Sequence, residues 1–357
     1  MLSRAWMDVD LGALVRNATA LANRAGVPLI PMIKADAYGL GAVEVARALE
    51  KLSPAAYGVA TIDEGRELRD AGLERDIIVF TPLLPDDLRA ASELRLMPTL
   101  GFPSEIESWK IYGSPYILSI DTGMARAGIP WREVRSLRQV VEANPPAAAF
   151  THFHSPQMDD GSMEVQLQRF EDAVALLPGI PAILHSDSSA AIVRHDSSKL
   201  SAVRPGIFMY GIGSGTSAAI QPEPVVHVKA RIVEIRRVEA GDTVSYDATW
   251  SAARDSLIAT VPLGYADGYP RNAGSEGVAC VGANVVHIAG RVTMDMMMLD
   301  VTDANARVGD VVTLIGDAVA AGAPVDVASV ATRAGMSPYE LLTGLRGRLQ
   351  RRYRNDR

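Results

Sequence analysis

The feature that most constrains this chain is a regular alternation, over its first two thirds, of short apolar runs and segments with helical periodicity. The apolar runs predict strands near 29–33, 57–60, 77–80, 97–100, 115–120, 148–153, 182–185 and 202–209. The segments between them predict helices over 42–52, 62–71, 85–96, 103–110, 132–143, 163–177 and 188–194. A further helix over 11–25, with Asp10 as its N-cap, precedes the first strand.

Strand–helix units that follow one another about eight times predict a (β/α)8 barrel of the TIM type. A doubly wound open sheet is the competing arrangement for the same alternation. No G-x-G-x-x-G motif follows an early strand, which argues against that alternative. We therefore expect an α/β fold whose first domain is a parallel barrel.

The pattern changes after residue 222. The stretch 221–224 reads Gln-Pro-Glu-Pro, which is typical of a linker. Beyond it, β-rich runs are separated by Gly and Asp turns, and they lie at 225–238, 243–246, 256–263, 278–288, 297–301 and 310–315, with one helix near 325–334. We predict a barrel domain over 10–222 and a predominantly β domain over 223–357, with residues 1–9 packing onto the second.

Composition narrows the class of function. The net charge of −7 argues against binding to a nucleic-acid backbone and favours a small-molecule enzyme. Cys280 is the single cysteine of the 357 residues, so no intrachain disulfide forms, as in a reducing compartment. No apolar stretch is long enough to span a bilayer and no secretory signal is visible, so we expect a cytoplasmic protein without a membrane partner.

The strongest single chemical signal is a lysine at the end of the first predicted strand. Lys34 follows the apolar run 29–33 and opens the sequence Lys-Ala-Asp-Ala-Tyr-Gly. A desolvated ammonium needs a partner or a lowered pKa. A lysine so placed suits Schiff-base formation with an aldehyde such as pyridoxal phosphate. On spacing alone, a lysine that merely ends a strand at solvent is the commoner case.

Further polar groups follow the other predicted strands, whose carboxyl ends carry the catalytic groups in barrel enzymes. In chain order these groups are Lys34, Arg126, His152, His154, His185, Ser188, Ser189 and Arg204. Such a set suits an anionic, phosphorylated ligand, and Gly206 would let backbone N–H groups approach a phosphate. Taken singly, Arg126 could be a surface ion pair and His152 a satisfied core histidine.

The predicted β domain contributes a tyrosine in a glycine-rich turn. Tyr265 follows an apolar strand within the sequence Gly-Tyr-Ala-Asp-Gly, and it could act as an exposed acid or base. Its ordinary pKa, about 10, would have to be lowered by nearby cations to work at neutral pH. The alternative is a hairpin tyrosine that packs its ring.

Seven short motifs, spread over nearly the whole chain, together carry a family resemblance. They are KADAYG at 34–39, DTGMAR at 121–126, THF at 151–153, VRPGIFMYG at 203–211, GYADG at 264–268, GRVTMD at 290–295 and PYE at 338–340. In this order they resemble the motifs of bacterial alanine racemases, enzymes of fold type III that use pyridoxal phosphate. The resemblance implies a (β/α)8 barrel joined to a C-terminal β domain, and a head-to-tail homodimer whose active sites take residues from both chains.

The resemblance also implies a role for individual residues around the cofactor. Lys34 matches the lysine that carries pyridoxal phosphate covalently, and no metal is expected. Arg204 matches the arginine that faces the pyridine nitrogen, and His185 matches the residue that supports this arginine. The positions that match the phosphate-binding residues are Tyr38, Ser189, Gly206, Ile207 and Tyr339.

For the reaction, the resemblance implies two bases on opposite faces of a small amino-acid substrate. Lys34 serves one face, and Tyr265 of the partner subunit serves the other, supported by His152. Arg126 matches the arginine that binds the substrate carboxylate. Met294 of the partner subunit matches a second carboxylate contact, and Asp295 lines the same entrance.

Three positions depart from the family pattern. Many members have a lysine where this chain has Ser119, and that lysine orients the carboxylate-binding arginine. Many have asparagine in place of Ser188 and cysteine in place of Thr293. None of these differences removes a catalytic group, but Ser119 leaves open what orients Arg126.

Other functions stay open at this point. The leading hypothesis is a racemase that supplies D-alanine for peptidoglycan, and a racemase of broader specificity, such as one acting on serine, is the runner-up. A decarboxylase of the same fold type would place a carboxylate at the pyridine nitrogen and use a catalytic cysteine, whereas this chain has Arg204 there, and Cys280 lies outside every motif. Single-domain pyridoxal-phosphate carriers lack a C-terminal β domain.

Overall fold

The computed structural model describes residues 3–194, 198, 200–213, 219–274, 276–316, 325–345 and 347–355. In chain order the strands β1 to β19 are Ala5–Asp10, Tyr57–Val59, Ile77–Val79, Leu96–Leu100, Ile117–Asp121, Ile129–Pro130, Ala148–Phe150, Ile183–Ser188, Ala202–Arg204, Val226–Arg231, Glu234–Val238, Thr243–Val244, Trp250–Ser251, Ser256–Val261, Val278–Val281, Asn284–Ile288, Met297–Asp300, Val311–Ile315 and Gln350–Arg354.

Helices separate the parallel strands and close the C-terminal region. In chain order the helical segments α1 to α11 are Leu11–Ala25, Lys34–Gly39, Ala42–Leu49, Ile62–Asp70, Leu88–Glu93, Pro103–Lys110, Arg138–Ala143, Ser162–Ala175, Ser189–Arg194, Val327–Arg333 and Pro338–Gly344. Short 3-10 turns occupy Glu50–Leu52, Pro85–Asp87, Trp131–Leu137, Tyr246–Ala248, Tyr265–Asp267 and Arg271–Ala273.

The N-terminal region is a nearly closed parallel barrel. Its strands lie side by side in the order β2, β3, β4, β5, β7, β8 and β9, each parallel to its neighbour. Because this order follows the chain without a reversal, the doubly wound alternative is wrong. The predicted α/β barrel followed by a predominantly β domain is confirmed, and the domain boundary at 222/223 stays a prediction.

The first predicted strand, 29–33, differs from expectation because it forms isolated bridges in place of a regular strand. It lies between the two end strands of the barrel. Ile30 donates its N–H to the carbonyl of Val203 at 2.7 Å, and Ile33 donates to the carbonyl of Gly58 at 2.9 Å. Pro31 has no N–H to donate, so the ladder is interrupted in the middle of the segment. The segment still closes the gap between β9 and β2 and delivers Lys34 to the barrel mouth.

Local sequence signals explain several helix boundaries. Asp10 caps α1 as predicted, since its side chain accepts the N–H of Ala13 at 2.8 Å. The helix predicted over 85–96 is shorter than expected, because it opens as a 3-10 turn and ends at Glu93, before β4 begins at Leu96. Pro338–Gly344 is a helix where none was predicted, and Ser337 caps it.

The C-terminal region forms one nine-stranded sheet in the order β11, β14, β17, β16, β15, β18, β10, β1 and β19. Strand β1, from the start of the chain, pairs antiparallel with β10 and parallel with β19. The ends of the described chain therefore meet within this sheet. Within the described residues, none of the helices has the length and apolar character needed to cross a membrane.

The last strand also contacts the mouth of the barrel. Arg351 on β19 pairs with Asp36 at 2.5 Å, and the hydroxyl of Tyr353 donates to the carbonyl of Leu40 at 3.0 Å. Both contacts are to the segment that follows Lys34. The β domain thus helps to hold the part of the barrel that carries the candidate catalytic lysine.

Candidate active site

Lys34 opens a turn with an uncommon backbone. Ala35, Asp36, Ala37 and Tyr38 all have φ between 53° and 56°, so Lys34–Gly39 is a left-handed helical turn. Residues with a Cβ enter this conformation at a cost of about 1–2 kcal/mol each. Four such residues in succession persist only because surrounding contacts hold them, a pattern associated with functional sites.

Contacts with three other elements, α3, α4 and β19, hold this Lys34 turn. Glu64 on α4 accepts the N–H of Ala35 at 2.8 Å, directly after the lysine. Asp36 accepts the N–H of Ala42 at 2.8 Å while it pairs with Arg351. These charge-assisted contacts offset part of the backbone strain and fix the direction in which the chain leaves Lys34.

A cavity of about 390 Å³ opens at the carboxyl ends of the barrel strands, beside this turn. It brings together most of the residues that the sequence analysis singled out. These are Lys34, Tyr38, Arg126, His152, His154, Ser188, Ser189, Arg204, Gly206, Ile207 and Tyr339. Tyr339 reaches it from α11, so both regions of one chain contribute to the wall.

Arg204 is the centre of a buried hydrogen-bond network on one side of the cavity. It is 4% exposed, and it donates to the carbonyls of Thr151 at 2.8 Å, Ser186 at 2.9 Å and His185 at 3.0 Å. It also contacts Nδ1 of His185 at 2.6 Å and Nδ1 of His152 at 3.2 Å. Because a guanidinium only donates, both imidazoles accept through Nδ1 and carry their proton on Nε2.

The same network keeps the histidines neutral. Burial first, then the charges of Arg204, Arg126 and Lys34, lower the pKa of His152 to about 3. Complete burial, followed by the charge of Arg204, holds the pKa of His185 well below its ordinary value. Burial lowers the pKa of Arg204 to about 9, which leaves the guanidinium charged at neutral pH. One cation with two neutral acceptors therefore lies beside the cavity.

The amine of Lys34 has a lowered pKa. Burial is the main cause that lowers the pKa of its amine, and the charges of Arg126 and Arg204 lower it further, while Glu64 opposes the shift. Arg126 makes no hydrogen bond or ion pair with any residue in the part of the chain that the structure describes. An arginine without a partner at the cavity wall suits a carboxylate ligand.

A candidate phosphate cradle, formed by Tyr38, Ser189, Gly206 and Ile207, lies in the wall of the cavity. Gly206 donates its N–H to the hydroxyl of Ser189 at 2.9 Å, and Ile207 follows it at the wall. A Cβ on Gly206 would lie 2.7 Å from the Tyr38 hydroxyl, so any larger residue there would force that hydroxyl to move. The ring of Tyr38 packs against Tyr210 with centroids 4.7 Å apart. Hydroxyls, backbone amides and a small residue suit the oxygens of a phosphate.

Three predicted residues lie away from this cavity. Tyr265, Met294 and Asp295 cluster on the β domain and do not line it. The N–H of Tyr265 donates to the carbonyl of Thr293 at 3.0 Å, and the side chains of Tyr265 and Met294 are 41% and 53% exposed. A single chain therefore assembles the cofactor side of the predicted site without its second base.

Sequence reasoning missed several residues that shape the site. Glu64 contacts the Lys34 turn through the N–H of Ala35. In the sequence, the spacing of Thr61 and Glu64 indicates only the N-terminus of a helix and does not predict this contact. Asp121 accepts the N–H groups of Gly123 and Ala125 and so shapes the loop before Arg126. The rings of Phe80 and Phe150 pack against the guanidinium of Arg204. No sequence pattern predicts this contact, because it depends on tertiary packing.

The donor set also bears on metal binding. Within the described ranges, no group of three or more His, Cys, Asp or Glu side chains lies close enough to hold a metal ion. Of the described residues that line the cavity, Asp121 is the acidic one, and backbone amides occupy its oxygens. The site thus favours anionic ligands.

Comparison with known proteins agrees with this geometry. The family description "Alanine racemase, N-terminal domain" matches residues 9–214, and "Alanine racemase, C-terminal domain" matches residues 225–353. The alanine racemase of Citrifermentans bemidjiense is 35% identical over 370 residues, covering 97% of each chain. That of Deinococcus radiodurans is 34% identical over 358 residues, covering 99% of each chain.

Solved structures give the same result. The crystal structure of alanine racemase from E. faecalis matches with a TM-score of 0.92 at 28% identity, and the match covers 98% of both chains. The alanine racemase from Bartonella henselae, described with covalently bound pyridoxal phosphate, matches with a TM-score of 0.90 at 29% identity, covering 99% of this chain and 100% of that one. Because both family descriptions together span almost the whole sequence, this chain belongs to the alanine racemase family.

Proposed function

We propose that this protein interconverts L-alanine and D-alanine with pyridoxal phosphate, using Lys34 as one base and Tyr265 of the partner subunit as the other. The observation that carries the proposal is the cavity that Lys34, Arg126 and Arg204 line together with the candidate phosphate cradle. Family membership supplies the reaction and the cofactor. The geometry supports a role for each residue.

The residues fit the cofactor that the family uses. The cradle of Tyr38, Ser189, Gly206 and Ile207 suits its phosphate, and Tyr339 adds a hydroxyl at the wall. Lys34 would hold the aldehyde carbon. When bound, pyridoxal phosphate withdraws electrons from the α-carbon, so that the α-proton becomes acidic.

Arg204 is proposed to face the pyridine nitrogen. A charged guanidinium disfavours protonation of that nitrogen and so limits how far electrons are withdrawn. His185 and His152 accept hydrogen bonds from the arginine through their Nδ1 atoms. Because both imidazoles are neutral, they neither cancel nor repel the positive charge of Arg204. This arrangement favours rapid return of the proton over side reactions such as transamination.

Lys34 is proposed to take and return the α-proton on the face that serves the D-enantiomer. Efficient proton exchange requires a pKa near the working pH. Burial and two arginines lower the pKa of this lysine towards that range. Arg126 is proposed to bind the substrate carboxylate and so to hold the α-carbon within reach of the amine.

The second base is proposed to come from another copy of the chain, because Tyr265 does not line its own cavity. Met294 and Asp295 belong to the same exposed cluster, so one partner surface can supply all three residues. With Nδ1 of His152 accepting from Arg204, its Nε2–H is free to donate to the phenol oxygen of Tyr265 of the partner subunit. A head-to-tail homodimer would complete both sites.

We extend the proposal to the biological role. Family membership favours a supply of D-alanine for peptidoglycan, made in the cytoplasm. Serine is the second candidate substrate, because no motif of the sequence distinguishes a methyl from a hydroxymethyl side chain. A decarboxylase of the same fold type is disfavoured by Arg204 and by Cys280, which is buried on β15 in the sheet domain.

The test is proton exchange. Purified protein is incubated with L-alanine and pyridoxal phosphate in deuterated water, and we expect D-alanine that carries deuterium at the α-carbon. L-serine is assayed in parallel. A product that has lost its carboxylate, or alanine without deuterium, would sink the proposal.

The two-base assignment is tested with Tyr265→Ala. We expect this variant to keep the absorbance of the bound cofactor, because the Tyr265 side chain is 41% exposed and its hydroxyl makes no hydrogen bond within the described residues. We expect it to lose most racemisation, because the second base is gone. Exchange of the α-proton of D-alanine through Lys34 should persist at a reduced rate. Racemisation at the wild-type rate would refute the assignment.

A further inference from the structure

The carboxylate of Glu64 connects two backbone segments beside the cavity. One oxygen accepts the N–H of Ala35 at 2.8 Å, and the other accepts the N–H of Ala60 at 2.7 Å. Ala60 directly follows β2, and the hydroxyl of Thr61 accepts the N–H of Glu64 at 3.2 Å, so the first turn of α4 is itself fixed. One side chain thus ties the Lys34 turn to the end of a barrel strand.

The contact with Ala35 fixes the peptide next to the lysine. That peptide group joins the carbonyl of Lys34 to the N–H of Ala35, and it is planar. A carboxylate that holds the N–H therefore holds the plane from which the Lys34 side chain departs. Since Ala35 is the first of four left-handed residues, the same bond secures the start of the strained turn.

Glu64 is also the carboxylate whose charge opposes the cations around the Lys34 amine. Arg126 approaches from the loop after β5 and Arg204 from β9, and neutral His152 lies after β7. Asp36, on the turn itself, is paired with Arg351. Tyr265 of the partner subunit is the remaining titratable group that the proposed function brings to the site.

We propose that Glu64 is a positioning residue for Lys34, which orients the lysine through the Ala35 amide and stabilises its protonated form by charge. The proposal rests on the proposed function, in which Lys34 exchanges the α-proton. Removal of the charge should make the ammonium form of Lys34 less stable, so that its pKa falls. Loss of one carboxylate oxygen should also leave a backbone N–H without its acceptor.

The test compares Glu64→Gln with wild type as dimeric holoenzyme. With saturating D-alanine, Lys34 must be deprotonated, so kcat should rise with pH through its pKa. We expect Glu64→Gln to move that rise to lower pH by about half a pH unit or more and to lower kcat. Faster loss of the bound cofactor on dialysis, followed by absorbance, gives a second readout. Asp63→Asn, an exposed substitution in the same helical turn, is the matched control and should change none of these.

The outcomes separate the two proposals. If wild type racemises alanine and Glu64→Gln keeps its pH profile at the wild-type position, the role of Glu64 is refuted while the function stands. If wild type does not exchange the α-proton, the function itself fails. If Glu64→Gln does not fold, Glu64→Asp serves as the test variant, because it keeps the negative charge on a shorter side chain. We expect Glu64→Asp to show a wild-type pH profile with a lower kcat. An unchanged kcat or a shifted profile would overturn the proposal.

Discussion

Replacement of Gly206 by alanine tests the phosphate cradle directly. The glycine has no positive φ that would strain an alanine, so the nearest obstacle among the described residues is the Tyr38 hydroxyl, 2.7 Å from the position of the new Cβ. Ordinary contact begins at 3.4 Å, so the ring must withdraw by about 0.7 Å. Tyr210, 4.7 Å away between centroids, limits that movement.

The expected loss follows from this crowding. If the Tyr38 hydroxyl withdraws, one hydrogen bond to a charged phosphate is lost, which is worth about 1.5–3 kcal/mol. At 25 °C this corresponds to cofactor binding weakened by a factor of roughly 10 to 150. Overpacking adds a stability cost of about 1–3 kcal/mol if the ring cannot withdraw. Gly206→Ala should therefore hold pyridoxal phosphate less tightly than wild type, or unfold earlier, or both.

The assay is reconstitution after dialysis. Variant and wild type are titrated with pyridoxal phosphate, bound cofactor is followed by absorbance, and thermal unfolding is recorded for both. Gly179→Ala is the matched control, since a Cβ there meets nothing within 4 Å. Wild-type affinity together with a wild-type unfolding temperature in Gly206→Ala would refute the cradle, as would an equal loss in Gly179→Ala.

Two further predictions concern pH and the surface of the β domain. Because the pKa of His152 falls to about 3 on folding, the unfolded chain binds a proton between pH 6.5 and 3 that the folded chain does not. The free energy of unfolding should therefore decline as pH falls through this window, by up to about 1.4 kcal/mol per pH unit. Urea midpoints measured over a pH series should show a shallower decline for His152→Asn than for wild type, and equal slopes for the two would contradict this prediction. Arg348 binds the buried carboxylate of Asp267 at 3.0 Å and Asp295 at 2.7 Å. Arg348→Ala should lower the thermal midpoint and raise KM for alanine. Arg237→Ala, at an exposed ion pair, should change neither quantity, and identical behaviour of the two variants would argue against the prediction.

Much of the fold could be predicted because local patterns record which residues are buried. The strands and helices of the barrel follow from alternating apolar runs, and the N-cap at Asp10 follows from one side chain next to its helix. The exceptions to the predicted fold also have local causes. Pro31 interrupts the first strand, and the helix predicted over 85–96 gives up its end to β4.

The candidate site divides in the same way. The residues that line the cavity were predicted because they stand at the ends of strands and match family motifs. The backbone conformation and the contacts that hold these residues in place could not be predicted. The left-handed Lys34 turn violates the backbone preferences of alanine, aspartate and tyrosine, so no propensity could have predicted it.

The sequence alone thus determined the barrel, the second domain, the family and the identity of the groups around Lys34, because periodicity and motifs are properties of neighbouring residues. Only the tertiary structure decided how Lys34 is held. The bond from Glu64 to Ala35 and the pairing of Arg351 with Asp36 join residues that are distant along the chain. Such contacts arise when separate elements pack, and the same packing leaves Tyr265 outside its own cavity, which is the physical reason to expect a second copy.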